Sequence, residues 1–255
     1  MLSQLLSHAR RMALIGTTGI TGLATYKAHT DPIHLFWDLD HTILCSISPL
    51  PKDPITSTTK QKDSKQSIPI PTPPALEHFD QIDDDFPYDA KTLAPNTRTY
   101  FRPGVRTALQ LCSYFGILHV YTAAQESYTN NIMKELDPDA SLFTKVLHRD
   151  EFPAIVKEGK DLSIATDRLD RAILFDDKTS NFKPQRYENG IGVIPYTSDR
   201  VEKYLCTDGY DKWDPYLEEV KEMARLVFIA FSGSIHLSGD ARKVVSWVRK
   251  WSNDR

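Results

Sequence analysis

Two aspartates, Asp38 and Asp40, follow the apolar run Ile33-His-Leu-Phe-Trp37. A run of that kind reads as a buried strand. Alternate residues of an extended chain point the same way, so the two carboxylates share one side. Like charges that close repel unless a cation or a shared proton relieves them. A Mg²⁺ ion would relieve them and leave Asp38 free as a nucleophile. Two further apolar runs end in the same manner. Ile117-Leu-His-Val-Tyr121 runs into Thr122, and Ala172-Ile-Leu-Phe175 runs into Asp176 and Asp177. Strand ends that gather carboxylates and a hydroxyl describe a site for a hard cation and a phosphate.

Those ends need a scaffold, and the intervening sequence supplies one. An amphipathic helix is expected over 105–115, after the Arg102-Pro103-Gly104 turn and up to Gly116. Arg102 is expected to cap a helix and pair with an acid. A second helix is expected over 127–136, stopped at Asp137-Pro138. Ile191-Gly-Val-Ile194 reads as a fourth strand. This alternation of strand and helix predicts a parallel sheet with helices on both faces. In such a sheet ligands bind outside the carboxyl ends of the strands. Regular structure is expected to resume at Tyr100, because 46–98 is rich in Pro, Ser, Thr, Lys and Asp and reads as a flexible insertion. Two amphipathic helices are expected in 216–255, covering the domain. Leu217, Val220, Met223, Ala224, Val227, Phe228 and Phe231 stripe the first, and Val244, Val245, Trp247, Val248 and Trp251 stripe the second. An exposed Trp247 or Trp251 would favour a partner surface.

The segment Asp38-Leu-Asp-His-Thr-Ile resembles the DxDxT motif of the RNA-polymerase C-terminal-domain phosphatase family, a branch of the haloacid-dehalogenase-like superfamily. The resemblance continues in order through Phe101-Arg-Pro-Gly104, Val120-Tyr-Thr-Ala-Ala124, His148-Arg149, Gly159-Lys-Asp-Leu162 and Ile173-Leu-Phe-Asp-Asp177. It covers roughly residues 33–205, interrupted by the insertion. It implies a three-layer α/β fold with a central parallel sheet and no large cap domain. It implies that Asp38 attacks phosphorus and forms an aspartyl-phosphate, and that Asp40 acts as acid and then base. Thr122 and Lys160 would hold the phosphoryl oxygens. Asp38, the Asp40 carbonyl and Asp177 would bind Mg²⁺, with Asp176 reaching the ion through water or anchoring Lys160. The family often has Asn where this chain has Asp177, so the metal site here is more anionic. Arg149 stands where the family has a substrate-side arginine.

The composition is that of a globular domain, with 40% hydrophobic and 25% charged residues in 255. Three separated cysteines (Cys45, Cys112 and Cys206) exclude a disulfide framework and a cysteine-based zinc site. Formal net charge is −3, which argues against a nucleic-acid binder. The charge is unevenly laid out: +3 over 1–30, −5 over 31–100 and −1 thereafter. Residues 1–30 contain no acid and read as a mitochondrial targeting segment, with the inner membrane as a destination. A short anchor in another membrane, endoplasmic reticulum or nuclear envelope, is the alternative. As a helix, residues 12–26 would span about 22 Å, short of the ~30 Å of a bilayer core. His34, His119 and His148 have no partner at metal-ligand spacing and read as structural. His41 reads as a neighbour of the site rather than a ligand.

The expected function is a Mg²⁺-dependent protein serine/threonine phosphatase acting on a phosphorylated protein or peptide. The alternative is a phosphatase-like presequence receptor of the mitochondrial inner-membrane import machinery, which the chain resembles in plan. Such a receptor commonly has a degraded first motif, whereas Asp38, Asp40, Thr42, Thr122, Lys160 and Asp177 are all present here. The acidic run Glu77–Asp89 would suit a basic presequence.

Overall fold

The computed structural model describes residues 31–47, 90–94, 97–185, 187–205, 213–236 and 239–253. The expectations for 1–30, for most of the 46–98 insertion and its acidic run, and for the Trp251 side chain lie outside the described residues. In chain order the strands are β1 (Ile33–Trp37), β2 (Leu44–Ile47), β3 (Ala90–Ala94), β4 (Thr97–Phe101), β5 (Gly116–Tyr121), β6 (Phe143–Leu147), β7 (Ala172–Asp176) and β8 (Gly190–Gly192). The helices are α1 (Val105–Ser113), α2 (Glu126–Leu136), α3 (Ile155–Glu158), α4 (Ser198–Leu205), α5 (Trp213–Ile235) and α6 (Arg242–Asn253).

The main sheet has the order β6-β5-β1-β7-β8 and every pairing in it is parallel. β1 is central, with Ile33, Leu35, Phe36 and Trp37 fully buried. A strand covered on both faces needs an unbroken apolar run, which is what its sequence shows. One face packs Leu35, Trp37, Val120 and Phe175 against α1, α2, α5 and α6 through Leu109, Ile132, Leu226 and Val245. The Trp37 and Phe175 rings lie 4.4 Å apart. Burying a large side chain of this kind stabilises by roughly 1.5–3 kcal/mol. The other face packs Phe36, Tyr121 and Leu174 under α3 and two 3-10 turns, through Ile155, Leu162 and Phe182. This is the three-layer α/β arrangement expected from the motifs.

Register decides where the site forms. Trp37 pairs with Val120 on one side and Phe175 on the other. The three strands therefore end together, and Asp38, Thr122 and Asp176 emerge along one edge of the sheet.

Several expectations need correction. Regular structure resumes before Tyr100: β2, β3 and β4 form an antiparallel sheet of order β2-β4-β3. The two ends of the segment read as an insertion are thus paired strands. Thr97-Arg-Thr-Tyr-Phe101 passes from half-buried to buried positions in a way that the neighbouring prolines obscure. β6 carries Thr144 and Lys145 on an exposed edge, so its apolar signal is weak. α4 is a further element without a sequence expectation. In α5, Ala224 and Phe228 of the expected stripe face solvent, while Glu219, Glu222, Met223 and Leu226 face inward. The fourth strand stops at Gly192, leaving Ile194 exposed.

The inward glutamates have partners. Glu219 receives the buried Arg102 guanidinium, 2.8 Å from Nε, and Arg102 Nη1 also donates to the Thr42 carbonyl at 3.0 Å. Arg102 therefore pairs with an acid as expected, and it ties α5 to the loop that follows β1. Arg171, also buried, donates to the backbone carbonyls of Asp31, Gly233 and Gly239. It fastens the start of the described chain to the turn between α5 and α6.

Candidate active site

Lysine joins the strand ends. Lys160 Nζ lies 2.5 Å from Asp38 Oδ1 and 2.6 Å from Asp176 Oδ2, with no exposure of its own. The backbone explains how it gets there. Gly159 adopts φ +94, where a side chain would be strained, and a Cβ would also come to 3.0 Å from the Ser180 carbonyl oxygen. The next residue, Lys160, donates its N–H to the Asn181 carbonyl at 3.0 Å. The segment thus docks on the 3-10 turn Thr179–Gln185 and aims its side chain at the sheet edge.

The two adjacent aspartates differ sharply. Asp176 Oδ1 accepts from the Lys178 N–H at 2.8 Å and from Asn181 Nδ2 at 2.9 Å. Its Oδ2 accepts from Lys160 and from Asn181 Nδ2, 2.8 Å away. Asp177 Oδ1 is buried and has no hydrogen-bond partner among the described residues. The Asp177 N–H donates to Thr42 Oγ1 at 3.1 Å, and that hydroxyl stands 3.4 Å from Asp38 Oδ2. One oxygen each from Asp38, Asp176 and Asp177 lies within 4.8 Å of the others.

Charge is unbalanced here. Three carboxylates face one ammonium. Burial pushes the Asp38 carboxyl up to about 7, opposed by Lys160 and reinforced by Asp176. Burial, then Asp176, also raises Asp177. Burial disfavours the charge on Lys160, but Asp38 and Asp176 outweigh it and hold the amine above its ordinary range. An unpartnered buried carboxylate oxygen beside excess negative charge fits a divalent cation with oxygen ligands. Asp38 and Asp177 are the residues placed to hold it. Asp176 is spent on Lys160 and Asn181. The Asp40 carboxylate lies outside the cluster.

Asp40 has its own holder. Tyr128 Oη, from the first turn of α2, donates to Asp40 Oδ1 at 2.7 Å. Tyr128 Oη is in turn 2.7 Å from Ser46 Oγ, and Ser46 Oγ is 2.8 Å from Thr99 Oγ1. Burial, then Asp40, drives the Tyr128 phenol above its ordinary range, so it stays protonated as a donor. No motif in the sequence points to Tyr128. The available signal is its place on the helix that leaves the Thr122 strand end.

Thr122 is buried at the end of β5, and its Oγ1 accepts from the Ala124 N–H at 3.1 Å, which leaves its own proton to donate. Arg149 lies on the loop after β6, and its N–H donates to the Ala124 carbonyl at 3.0 Å. The two loops are therefore stitched together at the sheet edge. His41 adopts φ 63 at the turn into β2, with Nδ1 3.2 Å from the Tyr196 carbonyl oxygen. Cys45 is buried, which pushes its thiol up to about 11 and keeps it unreactive. His34 Nδ1 and His119 Nε2, on the paired strands β1 and β5, are 3.0 Å apart.

A family model matches residues 33–227, and its description is the NLI interacting factor-like phosphatase family. The chain belongs to that family. The match spans the strands, the sheet edge and most of α5, so it includes every residue just described at the site. A curated relative is an RNA polymerase II C-terminal domain phosphatase of Schizosaccharomyces pombe. It is 29% identical over 110 residues, which is 40% of this chain and 15% of the relative. Two solved structures of the phosphatase Fcp1 are similar. One covers 81% of this chain and 54% of its own, at 20% identity and TM-score 0.46. The other, the fission yeast enzyme with beryllium fluoride, covers 94% and 59%, at 20% identity and TM-score 0.45. This member of the NLI interacting factor-like phosphatases thus spans a small part of its curated relative and a little over half of the solved chains. Among the described residues, no helix is long and apolar enough to cross a membrane.

Proposed function

We propose that the chain is a Mg²⁺-dependent protein serine/threonine phosphatase that works through an aspartyl-phosphate on Asp38. The observation that carries this reading is the buried Asp38–Lys160–Asp176 arrangement beside the unpartnered Asp177 oxygen. Lys160 and Thr122 would bind two phosphoryl oxygens, and Lys160 would offset their charge. Asp38 would attack phosphorus as the bond to the serine or threonine oxygen breaks. Asp40, held by Tyr128, would give that oxygen its proton. Asp40 would then take a proton from the water that attacks the aspartyl-phosphate, releasing phosphate and restoring Asp38. Bound Mg²⁺ supplies charge neutralisation that lets a dianion approach a carboxylate. Arg149 would contact the phosphopeptide.

The test is hydrolysis of a generic aryl phosphate by wild type and Asp38→Asn, with and without Mg²⁺. Turnover that needs both the ion and Asp38 is expected. No turnover by the wild type over a wide pH range overturns the enzyme reading. The intact catalytic set favours the enzyme over the receptor alternative. For location, we propose that residues 1–30 direct the protein to mitochondria, and their deletion should release it from organelles.

A further inference from the structure

A cleft of about 320 Å³ opens beside Lys160, on the side of the sheet away from α5 and α6. Tyr121, Phe152, Ile155 and Pro184 give it apolar walls, and Glu151 and Glu158 stand among them. Two chain neighbours fix its place. Gly159 and Asp161, which flank Lys160, line it, and Tyr121 immediately precedes Thr122. The Tyr121 ring in its wall lies with its centre 6.0 Å from Lys160 Nζ, so the cleft comes close to a group assigned to the phosphoryl oxygens. Its third acid, Asp161, is occupied locally: Oδ1 accepts from the Ser163 N–H at 2.9 Å and from Ser163 Oγ at 2.7 Å. Glu151 and Glu158 are exposed and form no ion pair among the described residues.

We propose that this cleft is a subsite for a lysine or arginine side chain of the phosphorylated substrate. The proposal rests on the phosphatase reading and adds the substrate class to it. Charge complementarity selects the occupant. A basic side chain lays its methylene stem on apolar surface and keeps its head polar, and the cleft offers both environments. An acidic side chain would meet two uncompensated carboxylates. A purely apolar one would leave them without a partner. An extended peptide advances about 3.3 Å per residue. A residue two to four positions from the phosphoresidue therefore reaches about 7–13 Å from it.

The experiment measures binding to the full chain by fluorescence anisotropy at low salt. The probes are two peptides that carry a non-hydrolysable phosphonomethyl analogue of phosphoserine. One has arginines flanking it and the other has glutamates. The arginine peptide should bind about three- to tenfold more tightly. Glu151→Gln/Glu158→Gln should abolish the difference, and Glu151→Lys/Glu158→Lys should reverse it. Both positions are exposed, and thermal unfolding checks that each variant folds. Equal affinities in the wild type overturn the proposal. So does a preference that survives the double glutamine variant, because the attraction would then come from the overall charge of the chain. Binding is read without turnover, so failure of the aryl phosphate assay would refute the phosphatase reading and leave this result to stand or fall alone.

Discussion

The Tyr128 hydroxyl donates to Asp40 Oδ1 across 2.7 Å, and no other group among the described residues holds that carboxylate so directly. Proton transfer depends on the placement of the acid, and small misplacements are expensive in rate. Tyr128→Phe should lower kcat by about ten- to a hundredfold while the protein stays folded. Ser46→Ala, one bond further out, should cost less. Steady-state kinetics on an aryl phosphate with unfolding curves alongside checks this. A Tyr128→Phe rate close to wild type would mean that Asp40 is oriented by other means.

Asp176 and Asp177 should separate by experiment. Asp176 holds Lys160, Lys178 and Asn181, so Asp176→Asn should destabilise the fold by about 3 kcal/mol, as removing one partner of a buried pair does. Asp177→Asn breaks no side-chain hydrogen bond. It should leave stability within about 1 kcal/mol of wild type and weaken Mg²⁺ binding. Urea titration and Mg²⁺-dependent activity, run on both variants, distinguish them. Equal loss of stability would contradict the division of labour.

Burial of His119 should make the fold acid-sensitive. It is buried against Phe36, with ring centroids 4.6 Å apart, and burial, then His34, lowers its pKa to about 3. The folded state thus favours the neutral ring, while the unfolded chain takes up a proton near 6.5. This contribution is fully present above about pH 6.5 and is lost as the pH falls towards about 3. Its size is on the order of 4 kcal/mol. His119→Phe should flatten the stability profile between those limits, as measured by urea unfolding at a series of pH values. An unchanged acid limb would assign the sensitivity to carboxylates instead.

Gly190 is pinned by Phe182. A Cβ at Gly190 would collide with the Phe182 ring. Phe182 lies on the same 3-10 turn as Asn181, which holds Asp176. Gly190→Ala should therefore cost about 2–3 kcal/mol by overpacking and should lower activity as well. Adding Phe182→Leu should restore most of the stability. Failure of the second change to rescue would locate the strain elsewhere.

Much of the site is legible in the sequence because its chemistry is concentrated in short motifs at strand ends. Asp38, Thr122, Asp176 and Asp177 follow apolar runs that the parallel sheet buries on both faces. Register then aligns those ends, which only the structure shows. Lys160 is different: only resemblance singles it out, since Lys157-Glu-Gly-Lys-Asp161 has no periodic signal. Tyr128 is not legible at all, because a tyrosine in a helix is ordinarily a packing residue. The β2-β4-β3 sheet is hidden for another reason. Its strands pair across a long proline-bearing segment, and local composition carries no information about a distant partner. The buried face of α5 departs from its apolar stripe at Ala224 and Phe228. Glu219 and Glu222 turn inward to meet Arg102 and Arg225, and an apolar stripe cannot announce a buried ion pair.

The Arg102–Glu219 pair has a consequence for inheritance. Arg102 reaches from the end of β4 to the Thr42 carbonyl, within the motif that begins at Asp38, and its charge is answered from α5. A premature stop codon or frameshift shortly upstream of Trp213 would spare every residue of the chemistry. It would nevertheless strip Arg102 of Glu219 and open the face of β1 and β7 that α5 covers. Loss-of-function alleles are therefore to be expected in the codons from Trp213 onward, far from any motif. A fragment chosen by motif boundaries alone would be inert for the same reason.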